Sequence, residues 1–261
     1  MFKLIGAYFS RLSKWMIFRI LLILMFIGGI AAALLTRKLS GAWNLPYILA
    51  YLIFPHYVGV IIGLFNYPLF TNGTIRNQLA VGHRRSHVYL ADWAASNLFA
   101  AAIFLCFVIP FFITLSCCGS TAAAGQSTEL LEGLPTAMEV SADAVASARA
   151  IASGIAVSIV QIVFFTSVTQ LFCVVLKGVK SFLAIYLGNQ ALVLAGVGYA
   201  ALASKYQLPE KLFNLFPSVV CMRQSSFAVD PEFWQGMLLM LAETAIVFVI
   251  GILYFRKTDL N

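Results

Sequence analysis

The sequence predicts an all-α polytopic membrane protein with six transmembrane helices in a single transmembrane domain, 1–261. Of its 261 residues, 61% are hydrophobic and only 10% are charged, which is more apolar than a soluble domain of this length needs for its core. A membrane-spanning helix needs about 20 mostly apolar residues. Six windows meet this requirement, and they are 15–36, 47–70, 92–116, 151–176, 181–203 and 234–255.

Residues 1–14 predict an amphipathic helix that lies in the membrane interface. Apolar side chains recur there at spacings of three and four, and polar ones fall on the opposite side of the same helix. The apolar set is Phe2, Ile5, Phe9, Leu12 and Met16, and the polar set is Lys3, Ser10, Arg11 and Lys14. Because the first span is of full length and is followed by Arg37 and Lys38 instead of a cleavage site, we expect no cleaved signal peptide.

The distribution of Lys and Arg predicts the orientation, because short loops rich in these residues stay in the cytoplasm. If the N-terminus is inside, 11 of the 17 basic residues fall on the inner side. They are Lys3, Arg11, Lys14, Arg19, Arg76, Arg84, Arg85, Lys177, Lys180, Arg256 and Lys257. We therefore expect both termini to be cytoplasmic. This asymmetry accounts for the net charge of +7 and favours contact with anionic membrane lipid, so no nucleic-acid partner is expected.

The segment 117–150 is the main predicted external feature, and Ala, Ser, Thr and Gly predominate in it. Thr136 and Glu139 form a capping box just after Pro135, so a helix is expected to start there. The segment is either a solvated helical hairpin or a gate and substrate-release surface. A disulfide from Cys221 to Cys117 or Cys118 is an open alternative, because connectivity does not follow from sequence.

Polar residues inside the predicted spans must face protein or water. Glu243 lies near the middle of the sixth span, where an acidic side chain costs about 2.5–3.5 kcal/mol on insertion scales. It is either a cavity group that meets a cationic part of a substrate or a partner in an interhelical hydrogen bond. His56 is a further candidate for the substrate path. Gln161, Gln170, Asn189 and Gln190 are expected to bond between helices, and Gly59 and Gly63 to allow close helix contact.

Known catalytic and metal-binding patterns are missing from this sequence. It has no GxSxG elbow, no HExxH and no GxxxxGK[ST] loop, so we expect neither an intramembrane enzyme nor ATP hydrolysis by this chain alone. His83 and His87 share a helical spacing, but no third ligand lies nearby in the sequence, and no metal site is predicted.

Between the second and third spans lies a polar stretch, 73–89, with the sequence GTIRNQLAVGHRRSHVY. Together with residues 255–260, FRKTDL, it resembles the ABC-2 type permease family of bacterial ABC transporters, and most closely the six-span permeases associated with export of lantibiotics, bacitracin and other peptides. In that family the stretch forms a cytosolic coupling helix. The matching positions are Gly73, Ile75, Arg76, Asn77, Leu79, Gly82, Arg85 and Tyr89, and Arg84 adds a second arginine beside Arg85.

The resemblance implies the permease subunit of an ATP-driven exporter in the bacterial cell (inner) membrane. Its partners would be a second permease copy or a similar permease, and two cytosolic ABC ATPase subunits, which would bind ATP and Mg²⁺. A short helix with Arg76, Arg84 and Arg85 suits a groove on such a partner, whose closure would push the second and third spans. The alternative for this segment is a basic loop that merely obeys the positive-inside rule.

The expected substrates are amphipathic peptides, because apolar spans and a central acidic residue suit an amphipathic, cationic molecule. A drug or lipid-like compound is the alternative substrate. An immunity or channel-like membrane protein that works without an ATPase is the alternative function.

Overall fold

The chain is seen in a computed structural model that describes residues 2–14, 16–38, 54–65, 79, 81–117, 148–176, 181–206 and 231–257. The seven long elements in these ranges are α1 (Phe2–Lys14), α2 (Met16–Lys38), α3 (Phe54–Phe65), α4 (Arg85–Cys117), α5 (Ala148–Val175), α6 (Ser181–Tyr206) and α7 (Pro231–Lys257). No β-strand occurs within the described ranges. The all-α fold class is therefore confirmed.

Four of the described helices, α2, α4, α5 and α7, are long and apolar enough to cross a membrane. They match the first, third, fourth and sixth predicted windows and indicate a membrane protein. Helix α6 begins with the fifth window at Ser181, whereas α3 covers only 54–65 of the second window, whose other residues lie outside the described ones. A further difference is at α4, which begins at Arg85 and not at Asp92. A window chosen by apolarity misses the polar first turns of a helix that extends past the hydrocarbon.

Helix α5 is the centre of the packing. It contacts α3, α4, α6 and α7, and 72% of its apolar stretch is buried, against 11% for α2. A buried core joins α2, α3, α4 and α5 through residues such as Val58, Phe99 and Ile162. Helix α2 instead exposes Ile23, Leu24 and other large apolar side chains. Such an apolar outer face suits a lipid environment.

Helices α2 and α4 run in the same direction. Phe18 packs edge-on against Phe99 with ring centroids 4.5 Å apart. Further along both helices, Gly29 lies against the backbone carbonyl of Phe107, where a Cβ atom would not fit. Glycine therefore lets α2 approach the α4 backbone at this point.

Helix α7 runs antiparallel to α4. Trp93 packs on Phe248, with ring centroids 4.6 Å apart. Tyr89, one turn earlier on α4, packs on Phe255, later on α7, at 5.7 Å.

Helix α1 is amphipathic, and the side that faces the protein includes part of the predicted apolar set. Ile5 packs on a buried cluster at the start of α4, and Phe9 stacks on Phe99 at 4.7 Å although it is 45% exposed. Leu4 and Tyr8, which are not in that set, are buried in the same cluster. The interfacial position of α1 stays a prediction.

Most of the predicted external segment 117–150 lies outside the described residues, as do Thr136, Glu139, Cys118 and Cys221. Cys117 is exposed at the end of α4 and forms no disulfide with another described cysteine. The role of this segment stays a prediction.

Candidate functional site

The last five residues of the predicted coupling segment, 85–89, form the start of α4, and a hydrogen-bonded turn precedes them. The amide of Gly82 donates to the carbonyl of Leu79 at 3.0 Å. Gly82 has φ of +95°, a left-handed conformation that L side chains rarely adopt. A Cβ atom there would meet nothing within 4 Å, so backbone conformation, and not space, requires glycine.

Arg84 stands immediately before α4 and caps its first turn. Its carbonyl accepts hydrogen bonds from the amides of His87 at 3.0 Å and Val88 at 3.1 Å. This is the role of a residue at the N-cap position. The Arg84 side chain is exposed, so its charge remains available at the surface.

Arg85, the first residue of α4, reaches the far end of α7. Its Nη1 donates to the carbonyl of Arg256 at 3.2 Å. The last carbonyls of a helix have no partner within the helix, so Arg85 satisfies one of them. Arg84, Arg85, Ser86 and Arg256 line a concavity of about 580 Å³ at this end, which we name the arginine concavity.

One turn further into α4, Tyr89 is held in a close-fitting site on α7. Its ring lies 5.9 Å from that of Phe248 and 5.7 Å from that of Phe255. Its hydroxyl lies against Gly251, where an added Cβ atom would also come within 2.8 Å of Cζ of Tyr89. We name Tyr89, Phe248, Gly251 and Phe255 the Tyr89 site. It fixes the distance between α4 and α7.

Four helices meet around the Tyr89 site. Tyr8 of α1, Val88 and Tyr89 of α4, Val174 of α5 and Phe255 of α7 belong to one buried cluster. The start of the chain, the start of α4, the end of α5 and the end of α7 therefore lie at one end of the molecule.

Two polar contacts join α4 to α5 just beyond this cluster. Nε2 of Gln170 donates to Oδ2 of Asp92 at 2.8 Å, and Nε1 of Trp93 donates to Oγ of Ser167 at 2.7 Å. Asp92 is only 2% exposed. The predicted interhelical role of Gln170 is confirmed. Sequence analysis did not select Asp92, because it is the first residue of the predicted window 92–116. Helix α4 begins earlier, at Arg85, so Asp92 lies two turns inside the helix.

The coupling residues predicted from the sequence differ in burial, and some lie outside the described residues. Gly82 and Arg84 are exposed, Arg85 is half-buried, and Tyr89 is buried. Leu79 packs on the cluster around Tyr89. Ile75, Arg76 and Asn77 lie outside the described residues.

Glu243 lies between the side of α7 that packs on other helices and the side that is exposed. It is half-buried, between buried Met240 and half-buried Val247 along one row of the helix, whereas Ala242 and Ile246 are exposed. In the part of the chain that the structure describes, Glu243 forms no hydrogen bond or ion pair. Whether Glu243 serves as a cavity group or as a partner in an interhelical hydrogen bond therefore stays a prediction.

His56, a residue of α3, is enclosed by α5 and α6. It is 3% exposed, and its ring packs edge-on against Phe165 with centroids 4.2 Å apart. Nε2 of Gln190 lies 3.2 Å from Nε2 of His56, which confirms an interhelical contact for Gln190. The amide of Asn189 instead donates within α6, to the carbonyl of Ile185.

The predicted close contact at Gly59 is confirmed. An added Cβ atom would lie 3.0 Å from both the carbonyl oxygen of Ile162 and Cβ of Phe165 on α5. Helix α3 therefore packs on α5 at this glycine, one turn beyond His56.

No protein-family model matches this chain, and no curated protein matches it either. The class that the described residues define is that of an all-helical membrane protein with four candidate membrane-spanning helices. Its most specific feature is the end at which the predicted coupling segment, α4 and α7 are joined.

Proposed function

We propose that this chain is the permease subunit of an ATP-driven ABC exporter that moves amphipathic peptides or similar hydrophobic compounds outward. The observation that carries the proposal is the coupling segment, whose sequence resembles that of ABC-2 permeases and whose end is joined by hydrogen bonds to α4. Six spans, with α3 and α6 as the second and fifth, complete the proposed membrane domain.

Leu79 of the coupling segment packs on the buried cluster at the start of α4, and its carbonyl accepts a hydrogen bond from the amide of Gly82. A displacement of the segment would pass to α4 through this packing. Closure of two ATPase subunits beneath the membrane is the proposed source of that displacement.

The Tyr89 site would pass the displacement to α7. Tyr89 fits against Gly251 without room for a Cβ atom, and Arg85 holds the carbonyl of Arg256. Helix α5 would follow through the hydrogen bond between Gln170 and Asp92. Three helices would then respond together to one contact with the ATPase.

The proposed orientation places this end in the cytoplasm of a bacterial cell. Helix α1 brings Leu4, and with it the neighbouring Lys3, to the end where α4 begins with Arg85 and α7 ends with Lys257. Basic residues at helix ends favour the cytoplasmic side. Both termini would be cytoplasmic, and the ATPase subunits would supply the ATP and Mg²⁺ sites.

The experiment that tests the function is purification of the tagged full-length chain in mild detergent, with measurement of mass and ATP hydrolysis. We expect two permeases, either two copies of this chain or one with a similar permease, with two ABC ATPase subunits. A monomer without an ATPase at all protein concentrations would contradict the proposal and favour the channel or immunity alternative.

A charge reversal in the coupling segment tests the role of this segment directly. Arg76→Glu is expected to abolish co-purification of the ATPase and transport, while the protein still inserts and elutes as a folded species, because it reverses one charge of the proposed docking segment. Lys14→Glu is the matched control, since Lys14 is an exposed basic residue of α1, and it should retain the complex. Equal retention by both variants would refute the docking role.

Arg85 requires a separate pair of variants because it also binds α7. Arg85→Glu should lose ATPase association and transport, while Arg85→Lys should keep the association because it keeps the charge. Unchanged ATPase binding and transport in Arg85→Glu would show that this arginine serves only to join α4 to α7.

A further inference from the structure

Helix α4 contains a proline, Pro110, two turns before it ends at Cys117. Proline has no amide hydrogen, so the carbonyl of Cys106, one turn earlier, does not receive the hydrogen bond that a helix interior normally supplies. The proline ring also crowds that carbonyl. One turn of α4 is therefore held less firmly than the rest, and proline is among the usual causes of a sharp bend in a helix.

Helix α2 has a weak turn of its own beside this proline. Gly28 and Gly29 are adjacent in the interior of α2, where each glycine disfavours the helix by about 1 kcal/mol relative to alanine. A Cβ atom on Gly29 would meet the carbonyl oxygen of Phe107 and would lie 3.1 Å from Cγ of Pro110. The two glycines of α2 therefore lie against the turn of α4 that the proline weakens.

The part of α4 that precedes this turn is anchored on several sides. Asp92 and Trp93 form hydrogen bonds with α5, and Tyr89 packs on α7. Phe104, later in the helix, is fully buried. Beyond the proline, Phe111 is the one buried side chain among the described residues of α4. The last turns of the helix are therefore less enclosed than its first part.

Helix α2 is able to follow the end of α4 because it has few other neighbours. Among the described helices, α2 packs mainly on α4 and next on α1. Ala33, one turn beyond Gly29, belongs to the same buried cluster as Phe111 of α4. The ends of α2 and α4 therefore form one packed pair beyond the two weak turns.

We propose that Pro110 and the pair Gly28 and Gly29 form a double hinge, about which the ends of α2 and α4 bend together relative to the anchored part of α4. The hinge lies toward the end of the molecule opposite the coupling segment, where α5 begins. Its bending changes the spacing between the end of α4 and the start of α5. The hinge needs no ATPase, so it is tested separately from the proposed transport function.

The test is a distance measurement between two spin labels on the full-length protein in lipid nanodiscs. One label is on the exposed Cys117 and the other on Ala152→Cys, an exposed position near the start of α5, with the remaining cysteines replaced by alanine. A bend of about 25° moves Cys117 by roughly 4 Å, because residues 111–117 extend about 10 Å. We expect a distance distribution broader by about that amount than the one for Leu98→Cys with Ala152→Cys, since Leu98 is exposed on the anchored part of α4.

Two variants that stiffen the helices test the hinge itself. Pro110→Ala restores an amide donor for the carbonyl of Cys106, and Gly28→Ala favours the helix while its Cβ atom has room, with the nearest atoms at 3.9 Å. Each should narrow the distribution measured at Cys117, and the double variant should reduce it to the width of the reference pair. Gly198→Ala is the matched control, because nothing lies within 4 Å of a Cβ atom there, and it should leave the width unchanged.

The outcomes distinguish the hinge from the proposed function. A distribution at Cys117 as narrow as that of the reference pair would overturn the hinge, and so would equal narrowing by Gly198→Ala. If Pro110→Ala does not fold, Gly28→Ala decides alone, and an unchanged width in that variant would overturn the proposal. Narrowing by the stiffening variants in a protein that purifies without an ATPase would support the hinge and contradict only the transport proposal.

Discussion

Asp92 and Glu243 are both acidic residues of membrane-spanning helices, but their surroundings differ. Asp92 is 2% exposed and accepts a hydrogen bond from Gln170 on the neighbouring helix. Glu243 is half-buried at the border of α7 and has no hydrogen-bond or ion-pair partner among the described residues. The first carboxyl group joins two helices of this chain, whereas the second joins none of the described helices.

The comparison distinguishes a polar side chain that holds two helices together from one that has no partner on a neighbouring described helix. A carboxyl group that bonds to a neighbouring helix contributes to the position of that helix. A carboxyl group at the edge of a helix is costly unless water, a second subunit or a substrate meets it. Substitution at Asp92 should therefore affect stability, whereas substitution at Glu243 should affect transport.

The largest expected effect follows loss of the Asp92 side chain. Asp92→Leu would leave the buried amide of Gln170 without this acceptor and should lower the free energy of unfolding by about 2 kcal/mol. Asp92→Asn retains an acceptor oxygen, so the loss should be below about 1 kcal/mol. Unfolding in a denaturing detergent measures both. Equal losses in the two variants would show that the hydrogen bond is not the reason.

The next effect concerns the Tyr89 site, which lies beside Asp92. Gly251→Ala adds a Cβ atom against the hydroxyl and Cζ of Tyr89, and it should cost about 1–2 kcal/mol of unfolding free energy, because the hydroxyl is the far end of a side chain that can shift. Gly198→Ala is the matched control, because nothing lies within 4 Å of a Cβ atom at Gly198. It should be neutral or stabilising, since alanine favours a helix by about 1 kcal/mol over glycine.

A second substitution identifies the contact that matters. The hydroxyl of Tyr89 has no hydrogen-bond partner among the described residues, so Tyr89→Phe alone should not destabilise the protein. Combined with Gly251→Ala, it should restore part of the lost free energy. If the two changes are additive, the contact between Tyr89 and Gly251 does not limit the approach of α4 to α7.

Apolar windows predicted the positions of the helices because membrane insertion depends on local composition, which a sequence displays directly. The same reasoning found Gln170, Gln190 and Gly59. It did not find Gly251, because nothing beside Gly251 in the sequence distinguishes it from the uncrowded Gly198. The difference is created by Tyr89, which is far away in the chain.

Asp92 shows a second reason why the site was only partly predictable. A hydropathy window ends where polar residues begin, and a polar first turn is therefore assigned to a loop. The cap at Arg84 extends α4 beyond the window and places Asp92 within the helix. Arginine is not among the residues preferred at an N-cap. The sequence therefore did not predict that α4 begins before the apolar window.

The smallest effect on stability, and the most selective effect on function, is expected at Glu243. Glu243→Gln should change the free energy of unfolding by less than about 0.5 kcal/mol, because no contact within the described helices is lost. If the carboxylate meets a basic group of the substrate, export of cationic peptides should fall roughly tenfold while export of neutral peptides of equal length is retained. Transport into inverted vesicles measures both classes, and Glu232→Gln, near the start of the same helix, is the control. Equal losses for cationic and neutral peptides would show that Glu243 acts through the structure of the complex, because an electrostatic contact with the substrate must depend on the charge of the substrate.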